Sequence, residues 1–210
     1  MTDWATISSL ATAGGTLVLA LATFSAVRSS NRSARVAEQA LQEQRRPALV
    51  HARLDDAPQK IMFADGHWVR VEGSQAAVDE RDGVVYLVLA LRNVGAGLAV
   101  LQGWYPWGRQ VLGDVPHPEP DDFRRQTRDI YIAPGDVSLW QGAIRDADDK
   151  DGPAISAARR ERRPVSVDLL YSDQVGGQRT VSRFALVPTG DERWLGSVGR
   201  HWNLDHISPR

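Results

Sequence analysis

The chain reads as mainly β: an immunoglobulin-like antiparallel β-sandwich over residues 48–210, preceded by an N-terminal transmembrane helix over residues 1–27 and a juxtamembrane helical stalk over residues 28–47. Three observations predict this. Residues 4–27 carry no charge. Beyond Pro47 the apolar periodicity falls from helical to two residues. The short apolar runs there are separated by turn residues, with none of the regular βαβ alternation of a parallel sheet.

The uncharged segment, about 36 Å long as a helix, matches a hydrocarbon core that needs about 20 residues. Thr6, Ser8, Ser9, Thr12, Gly14 and Gly15 dilute its first half, so its strongest apolar run is 17–24. A cleaved signal peptide would need a positive start, and Asp3 stands there instead. Arg28, Arg32 and Arg35 follow directly. By the positive-inside rule they predict a single-pass cell-membrane protein with its N-terminus out and its C-terminal domain cytoplasmic. The lipid bilayer, through residues 4–27, is thus the first expected partner. Small residues at Ser8, Thr12, Gly15 and Thr16 lie near one helical face, which would let two anchors pack and self-associate.

The stalk is predicted as a continuation of the same helix, because no Gly or Pro interrupts residues 28–44. Ala34, Ala37 and Leu41 make only a thin apolar stripe, short of the several heptads a coiled coil requires. Pro47 ends it by pushing Arg46 out of the α region.

The predicted strands cover 48–54, 61–71, 84–92, 98–104, 128–132, 137–144, 165–171 and 180–187. In VSVDLLY, Val165, Val167, Leu169 and Tyr171 alternate with Ser166, Asp168 and Leu170, as in a strand with one buried face. The loop SDQVGGQR then joins it to TVSRFALV as a hairpin. Residues 84–91, VVYLVLAL, are nearly all apolar and predict a central strand with no wet face. Asn93-Val94-Gly95-Ala96-Gly97 is expected to turn it into the next strand as a hairpin. One helix is predicted in GPAISAARRERR, with Pro153 near its start and arginines at its end. Most of the tryptophans are expected to fill the core.

Composition removes several function classes. A formal net charge of −1 supplies no cationic excess for phosphate backbones, so nucleic acid is not an expected partner. The absence of cysteine removes disulfides, thiolate metal sites and cysteine nucleophiles. The GAG after the central strand lacks the following helix that would present amides to a pyrophosphate. In RDADDKDG, Asp146, Asp148, Asp149 and Asp151 cluster, but an EF-hand register places Ala147 and Ala158 where the end ligands belong. The histidines, His51, His67, His117, His201 and His206, form no HExxH, and no GxSxG is present. No catalytic, cofactor-binding or metal-binding residue is assigned.

Arg159, Arg160, Arg162 and Arg163, with Arg124, Arg125 and Arg128 elsewhere, would suit an anionic lipid surface or a solvated face. A short N-out anchor leads to a helical stalk ending at Arg46-Pro47, a strand leads into Asn93-Val94-Gly95-Ala96-Gly97-Leu98-Ala99, a turn sits at Pro134-Gly135 and YSDQVGG follows late. This order of parts resembles uncharacterised bacterial single-span membrane proteins. The resemblance implies a membrane-bound β-sandwich and transfers no site residues. The leading expectation is a membrane-tethered binding or scaffolding module for an unknown protein partner, held by loops 74–83, 113–127 or 146–152. The alternatives are an envelope-facing sugar binder using exposed Trp104 and Trp107, and an enzyme with an unrecognised site.

Overall fold

The computed structural model describes residues 4–190 and 193–205, without the side chains of residues 4–11, 39, 42 and 43. Asp3 and His206, and the Ser8 side chain of the expected packing face, lie outside the described residues. The chain divides into two units, Met1–Gln44 and Arg45–Arg210.

The first unit is one helix, α1 (Trp4–Gln44), which runs through residues 28–44 without a break. The Thr16 and Thr23 hydroxyls donate back to the carbonyls of Thr12 and Leu19 at 2.9 and 2.8 Å, so polar side chains are absorbed into the helix. Among the described residues no helix is long and apolar enough to cross a membrane. This corrects the expected anchor, and with it the single-pass localisation, the N-out orientation and the bilayer contact through residues 4–27. From Thr12 onward, Gly14, Gly15, Thr16 and Thr23 dilute the apolar run. Arg28 arrives before the roughly 20 apolar residues that a span requires are complete.

The second unit is mainly β. Its elements are β1 (Leu49–His51), β2 (Gln59–Met62), β3 (Trp68–Val71), β4 (Gln75–Arg81), β5 (Val84–Asn93), β6 (Ala99–Trp107), β7 (Arg124–Ile132), β8 (Val137–Ile144), α2 (Gly152–Arg160), β9 (Val165–Ser172), β10 (Thr180–Pro188) and β11 (Trp194–Asn203). Three departures correct the expected pattern, one of them β11, which lies beyond the last predicted strand. Residues 61–71 break at Phe63–His67 into the separate hairpin β2–β3. Residues 74–83, expected as a partner-holding loop, contain β4, in which Ala76 and Val78 are buried on one side while Ala77 between them packs on the second apolar cluster.

Hydrogen bonding links nine strands into one curled antiparallel sheet. Its order is β1-β5-β4-β11-β10-β9-β6-β7, with β8 also paired to β5. The β9–β10 hairpin pairs Tyr171 with Thr180 and Val165 with Leu186. The Asn93–Gly97 segment is not a hairpin turn, because β6 pairs with β7 and β9 rather than with β5. It is a crossover that seats the start of this unit. A Cβ on Gly97 would lie 1.6 Å from the Arg45 carbonyl oxygen, and one on Gly95 2.4 Å from that of Arg46. Asn93, fully buried, accepts from the amides of Ala48 and Gly95 and donates to the carbonyls of Gly97 and Ile132.

The main core lies inside the curl, where Leu87, Leu89, Trp140, Leu169, Phe184 and Leu186 pack together. A second cluster fills the other face of β5, with Tyr86, Val88 and Ala90 beneath Phe63, Val69 and Val71 of the β2–β3 hairpin. Residues 84–91 are therefore apolar throughout because both faces of β5 are covered. The same holds for β9, which is buried along its whole length rather than on one face. Its outer side carries Leu170, packed with Phe123 and Val181, and Asp168.

Candidate anion-binding cleft

Strands β7 and β8 are joined by a tight turn in which the Asp136 amide donates to the Ala133 carbonyl at 3.1 Å. They nevertheless pair with different partners, β7 with β6 and β8 with β5, so they form the two ends of the curled sheet. The pairing of β6 with β7 jumps from Leu101–Ile130 to Gly103–Arg125. Residues 126–129 thus have only Gln102 opposite them and bulge out of the ladder. A cleft of about 380 Å³ opens there, bordered by Trp104, Arg124, Arg125, Arg128, Gln141 and Arg145.

Gln126 bridges the seam. Its Nε2 donates to the main-chain carbonyl of Gln141 at 3.2 Å, and its Oε1 accepts from Trp140 Nε1 at 3.2 Å. A side-chain amide thus takes the Gln141 carbonyl that a neighbouring strand would otherwise bond, and with its oxygen satisfies an indole N–H. Beside it, Gln141 Oε1 is buried with no hydrogen-bond partner among the described residues. Gly142 lies against the Trp140 and Trp104 rings, and a Cβ there would come within 2.9 Å of Trp140.

The four arginines differ in how far they are neutralised. Arg124 donates to Asp149 at 2.5 and 2.8 Å and to Asp151 at 2.6 Å, with its guanidinium 5.1 Å from the Trp104 ring. Burial works to lower the Arg124 pKa, but the hydrogen bonds from Asp149 and Asp151 outweigh it and hold the group above its ordinary value. Arg124 in turn holds the Asp149 carboxyl below the usual carboxylate range. Arg145 reaches Asp65 at 3.3 Å. Burial of Asp65 works against its charge, yet the bonds from Tyr86 and the His67 amide, together with Arg145, leave its pKa lowered. Arg125 and Arg128 are exposed, and among the described residues neither forms an ion pair. The cleft therefore presents uncompensated positive charge over a tryptophan floor.

The sequence-derived candidates disperse. Among the described residues no group of three His, Asp or Glu is placed to hold a metal ion, the acidic run 146–152 included. Asp149 and Asp151 are instead the counter-charges of Arg124. Among the histidines, His67 Nε2 meets Asp79 at 3.0 Å, and His201 Nδ1 meets Ser182 Oγ at 2.6 Å. Ser182 is fully buried and also bonded to the Tyr171 hydroxyl at 2.9 Å, which denies it access to a substrate. Burial holds the Tyr171 phenol above its ordinary pKa. Trp104, expected to be exposed for sugar stacking, is 5 % exposed and belongs to the core, because the curl turns that face of β6 inward.

On the outer face, Asp168 and Arg183 sit directly opposite each other on β9 and β10 and are bonded at 2.7 Å through both carboxylate oxygens. Arg183 lies 5.2 and 4.9 Å from the Trp107 and Trp202 rings, and its other donors meet the carbonyls of Val115 and Pro116. The expected loop 113–127 is thus partly pinned to the sheet. A further groove of about 530 Å³ beside α2 holds Arg70, Arg159, Arg160 and Arg162. Arg70, Arg159 and Arg160 meet Glu72, Asp79 and Glu80, while Arg162 donates to the Thr189 carbonyl.

Arg145 was not among the sequence candidates. Its only signal was a lone arginine closing an apolar strand. Comparison with protein-family models, curated proteins and solved structures finds no match.

Proposed function

We propose that the second unit is a binding module that takes an anionic partner in the cleft between β7 and β8. The observation that carries this is the pair Arg125 and Arg128, exposed at the cleft and without acidic partners among the described residues, while Arg124 and Arg145 are already matched by carboxylates. Two uncompensated guanidinium groups steer and hold a carboxylate- or phosphate-bearing ligand, and planar donors of this kind suit bidentate contacts. Trp104 and Gly142 supply a flat apolar floor beneath. We read the curled sheet as an immunoglobulin-like sandwich open at this seam, a scaffold that suits recognition at an edge. The leading role is binding or scaffolding, without a catalytic step.

Titration of the full chain with polyglutamate, followed by tryptophan fluorescence, tests the assignment. Binding is expected, weakening as salt rises and falling at least about tenfold in the double variant Arg125→Glu/Arg128→Glu. Equal binding by the double variant and the parent chain overturns it.

A further inference from the structure

The anion-binding reading leaves the chemical class of the partner open, and the seam itself narrows it. We propose that the occupant is an extended acidic peptide segment, laid along the unpaired edge of β8 as an added strand; this rests on the cleft being the anion site.

Three features distinguish a peptide from a simple anion. First, β8 is laddered only to β5, so among the described residues no second strand is paired with its other edge. An open edge is a template for a further strand, and natural sheets seldom leave one uncovered. Second, what covers it here is the amide of Gln126, which donates to the Gln141 carbonyl and accepts from Trp140 Nε1. A glutamine side chain carries the same donor and acceptor as a peptide unit, so an incoming backbone can replace both bonds in kind. Third, Gln141 Oε1 is a buried acceptor that no donor among the described residues meets. Sulfate offers the cleft only acceptors, and phosphate at neutral pH adds just one or two P–O–H donors, whereas a peptide brings a row of N–H donors along the edge together with its carboxylates.

Charge sets the side chains of the segment. Alternate residues of an added strand point to opposite faces. Glutamates or aspartates on the outer face would meet Arg125 and Arg128, while small apolar residues on the other would rest on Gly142 and Trp104. The bulge at residues 126–129 gives the space, and strands of about three to five residues suffice for such pairing.

Hydrogen exchange and affinity, measured on the full chain with an alternating Glu/Val peptide, test the proposal. The matched probes are the same peptide N-methylated at alternate residues, and inorganic phosphate. The expected result is slowed exchange of the amides in residues 139–143 with the unmodified peptide. Affinity should fall at least about tenfold on N-methylation, and phosphate should give no protection. Gln126→Ala is expected to tighten peptide binding several-fold, because the placeholder no longer has to be displaced. Equal binding of both peptides with β8 exchange unchanged overturns strand addition while leaving an anion site in place. Protection by phosphate equal to that by the peptide overturns it in the same way. Failure of both peptides and phosphate to bind overturns the anion-binding reading itself, and this inference with it.

Discussion

Gln126 on β7 and Gln141 on β8 are joined by a side-chain-to-main-chain bond of 3.2 Å, and this amide bridges the two ends of the nine-stranded sheet beyond their connecting turn. The same side chain satisfies Trp140 Nε1, whose ring is fully buried in the main core. Replacing it with Ala leaves a buried indole N–H unpaired. Gln126→Ala is expected to cost about 1–3 kcal/mol in urea denaturation. A loss of less than about 0.3 kcal/mol would mean that water takes over both bonds.

The outer face depends on Asp168 and Arg183, which are 0 % and 4 % exposed. Removing one partner strands a buried charge, so Arg183→Met is expected to destabilise by about 3–5 kcal/mol. The double variant Asp168→Leu/Arg183→Met should lose much less than the sum of the single changes, as seen when a buried pair is exchanged for apolar packing. Additive losses in chemical denaturation would show that the pair is not coupled.

Gly97 is required by proximity, since an added Cβ would overlap the Arg45 carbonyl. Gly97→Ala should lower the thermal midpoint clearly, at a cost of about 1–3 kcal/mol or more from overpacking. Gly177→Ala meets nothing closer than a Val175 methyl at 4.0 Å and serves as the control. Equal midpoints for the two variants would contradict the seating of residues 45–48 on the crossover.

Acid should loosen the cleft from the Arg124 side. The folded pKa of Asp149 lies below its unfolded value, chiefly because of its bond to Arg124. Its contribution to stability is therefore fully present above the unfolded value of about 3.9 and is lost as pH falls through the lowered folded value. Asp149→Asn should flatten the decline in stability with pH across that interval. An unchanged acid limb in pH-dependent denaturation would exclude the clamp as its source.

Much of the sheet was legible because burial on both faces leaves a mark in composition. Residues 84–91 announce β5 by their lack of polar alternation, and YSDQVGGQR marks the turn of β9–β10. β4 was hidden because Asp79, Glu80 and Arg81 read as loop, and their pairing with α2 arginines appears only once the chain is folded. β11 carries Gly196 and Gly199, which weaken any strand pattern. The uncharged segment 4–27 was overread: lack of charge is not the same as sufficient apolar length, and its Ser, Thr and Gly content decides the matter. The cleft was the least legible part. Arg124, Arg125 and Arg128 were visible as a basic group, but Arg145 joins them only because β7 and β8 splay apart after a turn that looks like an ordinary hairpin. Asp149 and Asp151 read in sequence as a free acidic loop, because Arg124, which pairs with both, lies 25 residues or more away along the chain.

The most direct measurement is the map of backbone amide chemical shifts across the full chain as an acidic peptide is added. The account predicts changes concentrated in residues 124–128 and 141–145, abolished by Arg125→Glu/Arg128→Glu. Changes centred instead on Arg160, Arg162 and Trp194 beside α2, or no saturable change anywhere, would contradict it.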